Sequence, residues 1–221
     1  MTVVTYQILA RPKRMLQVEP FEAKAMELKG GKKADRAYYN YTFMLDEADP
    51  DTAAMIKVAK ELLAEVAKNR KVDLKNLQAG RDFSWPFQAG SEVAAKAVAK
   101  MAAAGKGPTS ERPYADKILL NANTPADAPI PTVLFIPQND EFVPADPIAA
   151  KASRLFYRGM NALGVVAFIS FDMGVIWGVT CMVNELVATG TGDRFSGQAD
   201  GSKYGKPTVE GRITNIDPLQ F

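Results

Sequence analysis

Hydrophobic residues concentrate between Arg154 and Gly192, where two apolar runs flank the break Asp172-Met173-Gly174. Both runs are rich in β-branched and aromatic residues, and each is long enough to form a strand. A short glycine-bearing break between two such runs is typical of a β-hairpin. Because both faces of each run are apolar, we expect the hairpin to lie in a covered barrel or to keep an apolar outer face for a stacking ligand.

Residues 37–45, AYYNYTFML, form another strand pattern. Alternation divides it into two faces, one with Tyr39, Tyr41, Phe43 and Leu45, the other with Tyr38, Asn40, Thr42 and Met44. The basic loop at residues 29–33 precedes the strand. Single-stranded nucleic acids use this combination, because rings stack on bases while cations contact phosphates. The alternative is that Phe43 and Leu45 are core residues and the tyrosines only surround them.

Two scaffold helices are predicted after this strand. Asp49 is the N-cap of the first and Pro50 its first residue, and its apolar stripe comprises Met55, Val58, Leu62 and Val66. The second helix runs from Ser91 to about Ala104, and its predicted inward face comprises Val93, Ala97, Val98 and Met101.

The loop at residues 80–90 lies between these helices and carries Phe83, Trp85 and Phe87 beside Arg81. The three rings form either a buried plug or, because loops usually lie on the surface, a binding element. Beyond the helices, the pattern predicts short strands at 117–123 and 131–137, a short helix at 146–152 and an irregular tail at 193–221.

Composition excludes several classes of function. With 221 residues, of which 47% are hydrophobic, the chain can bury a substantial core. Its net charge of +2 is too small to indicate a polyanion-binding protein, so such a site requires local clustering. The absence of histidine excludes Ser/His triads and histidine-ligated zinc, and Cys181 is expected to be a small core residue. Without a signal-peptide or membrane-helix pattern, we expect an intracellular protein.

No sequence motif indicates catalysis or a cofactor. Phosphate-loop and dinucleotide-binding fingerprints are absent. Two acidic groups could hold magnesium, Asp140 with Glu141 and the cluster of Asp46, Glu47 and Asp49, but adjacent surface acids are usually solvated. We therefore predict no catalytic residues, no metal and no cofactor.

The order of several short patterns resembles that of the bacteriophage single-stranded DNA-binding proteins of the OB-fold class. The matching pieces are residues 39–45, residues 117–123 with Pro129 and Pro131, Tyr157-Arg158-Gly159, Gly174-Val175, Leu186 and residues 190–197. The resemblance implies a mainly β fold with helical insertions (α+β), a five-stranded OB-fold Greek-key barrel elaborated by two helices. The domain would span 1–192, with its helical insertion at about 49–105, and a mostly irregular tail at 193–221 would follow.

This resemblance also implies a function. The family coats single-stranded DNA without sequence preference during phage replication, recombination and repair, which places the protein in the host cytoplasm and implies binding rather than catalysis. Many such proteins recruit replication proteins through an acidic tail ending in phenylalanine. Here Phe221 is present but Asp217 is the nearest acid, so recruitment stays open and Phe221 could equally fold back on the barrel.

The predicted DNA site combines rings and cations. The candidate rings are Tyr39, Tyr41, Trp85, Phe87 and Trp177, and the candidate cations are Lys32, Lys33, Arg36, Arg81, Lys117 and Arg158. Trp177 shares its strand face with Val179 and Cys181, which favours burial.

Two rival functions remain at this stage. One is a virion structural or decoration protein whose aromatic residues make protein contacts. The other is a nuclease that uses carboxylate-bound metal. Self-association, and whether RNA is also bound, stay open.

Overall fold

The computed structural model describes residues 2–27, 33–74, 83–105, 112–129, 131–193 and 195, which are mainly β with three helices. The strands are β1 (Val3–Glu27), β2 (Lys33–Leu45), β3 (Phe83–Ser84), β4 (Phe87–Ala89), β5 (Ile118–Pro125), β6 (Val133–Gln138), β7 (Glu141–Ala145), β8 (Asn161–Asp172) and β9 (Trp177–Ala188). The helices are α1 (Pro50–Arg70), α2 (Gly90–Ala103) and α3 (Pro147–Ser153). No helix in these ranges is long and apolar enough to span a membrane.

The strands of this part of the chain form one sheet in the order β4-β5-β2-β1-β8-β9-β6-β7, and β3 pairs with β9. Its central set, β5-β2-β1-β8-β9, is antiparallel throughout. The predicted hairpin is β8 and β9, joined by a turn at residues 173–176. The mainly β class with helical insertions is therefore confirmed.

The sheet is not closed into a barrel, which corrects the predicted five-stranded barrel. The reason is that other strands occupy the edge of β9: β3 pairs with it at Trp177 and Gly178, and β6 pairs with it at residues 185–187. Between these points, β5 reaches β9 through a side chain. The Thr124 hydroxyl accepts a hydrogen bond from the Val183 N–H (3.1 Å) and donates one to the Val183 carbonyl (3.2 Å).

Alternation along the strands builds the core. Tyr41, Phe43 and Leu45 of β2 are buried together with residues of β5, β8 and β9, while the intervening residues of β2 face the other way. Helix α1 contributes the predicted stripe, in which Met55, Leu62 and Val66 are buried and Val58 is half-buried. Burying one large apolar side chain stabilises the fold by about 1.5–3 kcal/mol.

A buried cation fastens the start of α1 to β1. The Asp49 side chain accepts a hydrogen bond from the Asp51 N–H, which confirms the predicted N-cap. Lys13, only 4% exposed, forms ion pairs with Asp49 and with Asp51, the latter at 3.2 Å. The helix N-terminus is therefore tied to the strand by three charges that lie largely out of water.

Helix α2 differs from its prediction. Gly90 and Ala94 are its buried residues, whereas Val98 from the predicted inward face is 47% exposed. The first turn makes the contact, because the Gly90 N–H donates to the Lys117 carbonyl (2.8 Å) and a Cβ atom at Gly90 would lie 1.7 Å from the Tyr114 carbonyl oxygen. Only a residue without a side chain fits there.

Candidate nucleic-acid interface

Strands β1, β2 and β5 present polar side chains on the outer face of the sheet. Residues directly opposite each other in antiparallel strands point to the same face. Two such rows cross the three strands, Gln17–Thr42–Asn121 and Glu19–Asn40–Asn123. Their neighbours Tyr41 and Ala122 are buried, so both rows face away from the core.

Except for Glu19, these rows line a groove of about 430 Å³ that we call the polar groove. Its walls include the ring of Trp85, the Thr42 hydroxyl and five amide side chains, those of Gln17, Asn40, Gln88, Asn121 and Asn123. Thr42 Oγ1 donates to Asn121 Oδ1 at 3.0 Å. Each amide offers both donors and acceptors, and none of the groove's described lining residues is charged. The groove therefore suits the edges of bases better than phosphates.

Trp85 stands at one wall because its segment is held on both sides. On one side the Asn121 N–H donates to the Pro86 carbonyl (2.8 Å). On the other, β3 packs so closely on β9 that a Cβ atom at Gly178 would lie 2.2 Å from the Ser84 carbonyl oxygen. Gly178 has a φ of +133°, which glycine alone adopts readily. The half-buried Trp85 ring is thus fixed beside the amides.

One ring and two cations continue the outer face beyond the groove. Tyr38 is half-buried and lies opposite Lys24 of β1, which is 52% exposed. Arg36 precedes Tyr38 by two residues on β2 and is 49% exposed. Its contact with Asp127 (2.6 Å), and to a smaller extent Tyr38, raises the Arg36 pKa. We call Lys24, Arg36 and Tyr38 the basic end.

A carboxylate, Glu19, lies between the polar groove and the basic end. Burial acts to raise its pKa, but Lys24, at 2.9 Å, and the polar side chains of Gln17 and Asn40 outweigh burial and lower the pKa. Glu19 therefore stays ionised and holds Lys24 on this face, at the cost of a negative charge near any bound phosphate.

Three of the predicted rings are corrected by their burial. Tyr41 is 1% exposed, Trp177 6% and Phe87 7%. Burial raises the pKa of Tyr41 to about 12. Rings packed this deeply present no face on which a base could stack, so they belong to the core.

The other predicted residues are dispersed. Lys32 and Arg81 lie outside the described residues, and Lys33 is described only as the first backbone position of β2. The charge of Lys117 is countered by Asp46 (2.6 Å) and Asp116 (2.9 Å), which raise its pKa. Arg36 lies in the basic end and Trp85 in the polar groove.

Tyr39 and Arg158 lie elsewhere. Tyr39 is half-buried and lines a separate groove beside α3. Arg158 is exposed, and its Nε donates to the Leu16 carbonyl at 3.0 Å. The adjacent Gly159 lies so near the Asp193 carbonyl oxygen that a Cβ atom would approach to 2.1 Å. The Tyr157-Arg158-Gly159 motif thus has a structural role, joining β1 to the chain that follows β9.

Of the acids that could have held magnesium, Asp46 is paired with Lys117 and Asp49 with Lys13. Across the described ranges, no group of three acidic, cysteine or histidine side chains could hold a metal ion.

Sequence reasoning missed Tyr38, Lys24 and the amide side chains. A signal for them exists, because Asn40 and Thr42 alternate with core residues on β2, and Asn121 and Asn123 do so on β5. Amides at alternate positions of two paired strands indicate a polar face wide enough to bind a ligand.

The fold is one found in phage single-stranded DNA-binding proteins. No protein-family model and no curated protein matches the chain. The structure of the single-stranded DNA-binding protein of bacteriophage Enc34 in complex with ssDNA is similar, with a TM-score of 0.52 and 12% identity over 87% of this chain and 89% of that one. A second structure of the Enc34 protein has a TM-score of 0.52 and 11% identity over 92% of this chain and 90% of that one. For the single-stranded DNA-binding protein gp2.5 of bacteriophage T7, the TM-score is 0.46 and the identity 11%, over 97% of this chain and 100% of that one. The two Enc34 structures confirm, at the level of the fold, the resemblance stated from the sequence.

Proposed function

We propose that this protein binds single-stranded DNA without sequence specificity, in phage DNA replication, recombination and repair. The observation that carries the proposal is the outer face of β1, β2 and β5, where the polar groove meets the basic end. OB folds use the face of their second and third strands to bind oligonucleotides. Strands β2 and β5 correspond to these two, because β2 pairs with both β1 and β5. The Enc34 protein, with the same fold, is a single-stranded DNA-binding protein.

Each part of the face has a distinct role in binding. Bases stack on the rings of Tyr38 and Trp85, and their edges form hydrogen bonds with the amides of the polar groove. Because an amide can match a donor or an acceptor, this recognition tolerates any base. On binding, Lys24 leaves its ion pair with Glu19 and Arg36 leaves its ion pair with Asp127, and each contacts a DNA phosphate instead. The roles are those of a binding protein and include no catalytic step.

Fluorescence anisotropy with a labelled oligonucleotide tests the proposal. We expect single-stranded DNA to bind and the matching duplex to bind far more weakly. Tyr38→Ala should weaken single-strand binding about 5- to 150-fold, because stacking on a ring contributes about 1–3 kcal/mol per base. Tyr38→Phe keeps the ring and is the matched control, expected to bind like the unaltered protein.

Two results would count against the proposal, the first against DNA binding itself and the second against stacking on Tyr38. One is the absence of single-strand binding at low salt, which would favour the virion structural role. The other is equal weakening by Tyr38→Ala and Tyr38→Phe, which would show that the ring does not stack.

A further inference from the structure

A second groove lies beside α3, and we call it the Tyr39 groove. It has a volume of about 640 Å³ and is lined by Phe21, Tyr39, Ile148, Lys151 and Arg154, among others. Lys151 and Arg154 are its charged lining residues, and both are basic. Ile148 is 83% exposed, which is unusual for a large apolar side chain. Rings, an exposed apolar side chain and cations thus meet in one concave surface.

A bulge in β1 creates this groove. Glu19 pairs with Asn40 and Lys24 pairs with Tyr38, so residues 20–23 of β1 face the single residue Tyr39. Such an insertion bends its strand and redirects its side chains. Here it places Phe21 in the groove, where the ring packs edge-on against Phe156 with centroids 5.8 Å apart.

The same bulge connects the Tyr39 groove with the basic end. After the bulge, β1 pairs with β2 again at Lys24, a residue of the basic end. Tyr38 and Tyr39 are consecutive on β2, so their rings stand on opposite faces at the same level of the strand. Because the two rings stand on opposite faces, a strand of DNA that leaves Tyr38 has to pass over the bulge to reach the Tyr39 groove.

We propose that the Tyr39 groove is a second binding site for the same DNA strand, which continues from the basic end over the bulge onto α3. This inference rests on the proposed function. Lys151 and Arg154 contact phosphates, while the half-buried rings and Ile148 receive bases. The positive lining complements the negative charge of DNA, and the bulge lies between the groove and the first site. The protein consequently covers more nucleotides than the polar groove and the basic end alone can hold.

The dependence of affinity on oligonucleotide length tests this inference. The outer face of β2 from Arg36 in the basic end to Thr42 in the polar groove is about 20 Å long, which accommodates only a few nucleotides. We would compare oligothymidines of about 5 and about 20 nucleotides, within the range of OB-fold site sizes. Lys151→Glu should weaken binding of the longer DNA about tenfold at low salt and leave the shorter unchanged. Ile148→Gln, which keeps the charge, should weaken only the longer by about threefold.

The control is Lys96→Glu, which makes the same charge change at an exposed position of α2. The inference is overturned if Lys151→Glu and Lys96→Glu behave alike with the longer DNA. It is also overturned if Lys151→Glu weakens both lengths equally, since the groove would then not be an extension. If the unaltered protein binds neither length, the proposed function fails as well. If it binds both lengths but Lys151→Glu has no effect, the inference fails alone, and an acidic protein segment becomes the better occupant of the groove.

Discussion

Thr124 of β5 and Val183 of β9 connect two strands whose backbones do not pair with each other. The Thr124 hydroxyl accepts from the Val183 N–H and donates to the Val183 carbonyl, and both residues are at most 1% exposed. The Thr124 side chain thus takes the place of a pair of backbone hydrogen bonds between β5 and β9. The Val183 carbonyl has a second donor, the Thr132 hydroxyl at 2.7 Å, whereas its N–H bonds to Thr124.

Thr124→Val should therefore lower the free energy of unfolding by about 1–3 kcal/mol, because it leaves the buried Val183 N–H without an acceptor. Urea unfolding followed by circular dichroism measures this change. Thr124→Ser keeps the hydroxyl and is the matched control, which should cost less because the Val183 N–H keeps its acceptor. Equal midpoints for Thr124→Val and the unaltered protein would contradict the prediction.

Trp85 should report DNA binding through its fluorescence. The chain contains two tryptophans, so Trp177→Phe leaves Trp85 as the single emitter and Trp85→Phe leaves the buried Trp177. We expect single-stranded DNA to quench the emission of Trp177→Phe and to change that of Trp85→Phe little, because only Trp85 borders the polar groove. Equal quenching in both variants would show that DNA does not contact Trp85.

Lys24 and Arg36 should determine the salt dependence of binding. Each phosphate contact on a single strand contributes about 0.7 to the slope of log affinity against log salt. Lys24→Ala and Arg36→Ala should each reduce the slope by about that amount, and the double variant by about twice as much. Lys96→Ala on α2 should leave it unchanged. If all three single variants shift the slope alike, net charge rather than position governs binding.

Glu19→Gln should bind single-stranded DNA more tightly than the unaltered protein, since it removes a negative charge from the proposed path and keeps the side-chain shape. The gain should shrink as salt is added, because screening weakens the repulsion. Titration at two salt concentrations measures both effects. Unchanged affinity at low salt would place the DNA away from Glu19.

The same substitution should reveal a loss of stability that depends on pH. Because the folded-state pKa of Glu19 lies below its ordinary 4.5, the ionised carboxylate favours the folded state. This contribution is complete above pH 4.5 and is lost as the pH falls through the folded-state pKa. Glu19→Gln should thus have the lower Tm at pH 7, and the difference should vanish in acid. A difference that persists in acid would not come from the charge.

Alternation predicted the two faces of β2 correctly, yet it could not say which face is covered. The basic loop before the strand favoured Tyr39 and Tyr41 as DNA-binding rings, whereas Tyr41 packs in the core and Tyr38 stands on the outer face. The choice depends on what lies against the strand, and those partners come from distant parts of the sequence. Phe87 was misassigned for the same reason, since its burial results from packing between separate segments, whereas the burial of Trp177 was already favoured by the strand face it shares with Val179 and Cys181.

Strand β1 was missed because its pattern is interrupted. Its pairing register shifts between Ile8 and Lys13 and again between Glu19 and Lys24, and each interval contains a proline, Pro12 or Pro20. Proline within a sheet is found at bulges, and each bulge resets the alternation by which a strand is detected. The N-caps of α1 and α3 were predictable, because an Asp that caps a helix and a Pro that begins it act only through neighbouring residues of the chain.

The ion pairs of Lys13 link the unfolding of α1 to that of the sheet. If the helix were to open alone, the carboxylates of Asp49 and Asp51 would move away and leave a charged amine in an apolar interior, a state of high free energy. Partial opening of this region is therefore suppressed, and the amide protons of the first turns of α1 should exchange with solvent as slowly as those of β1 beside Lys13. The inserted helix and the sheet that presents the proposed DNA-binding face consequently act as one cooperative unit.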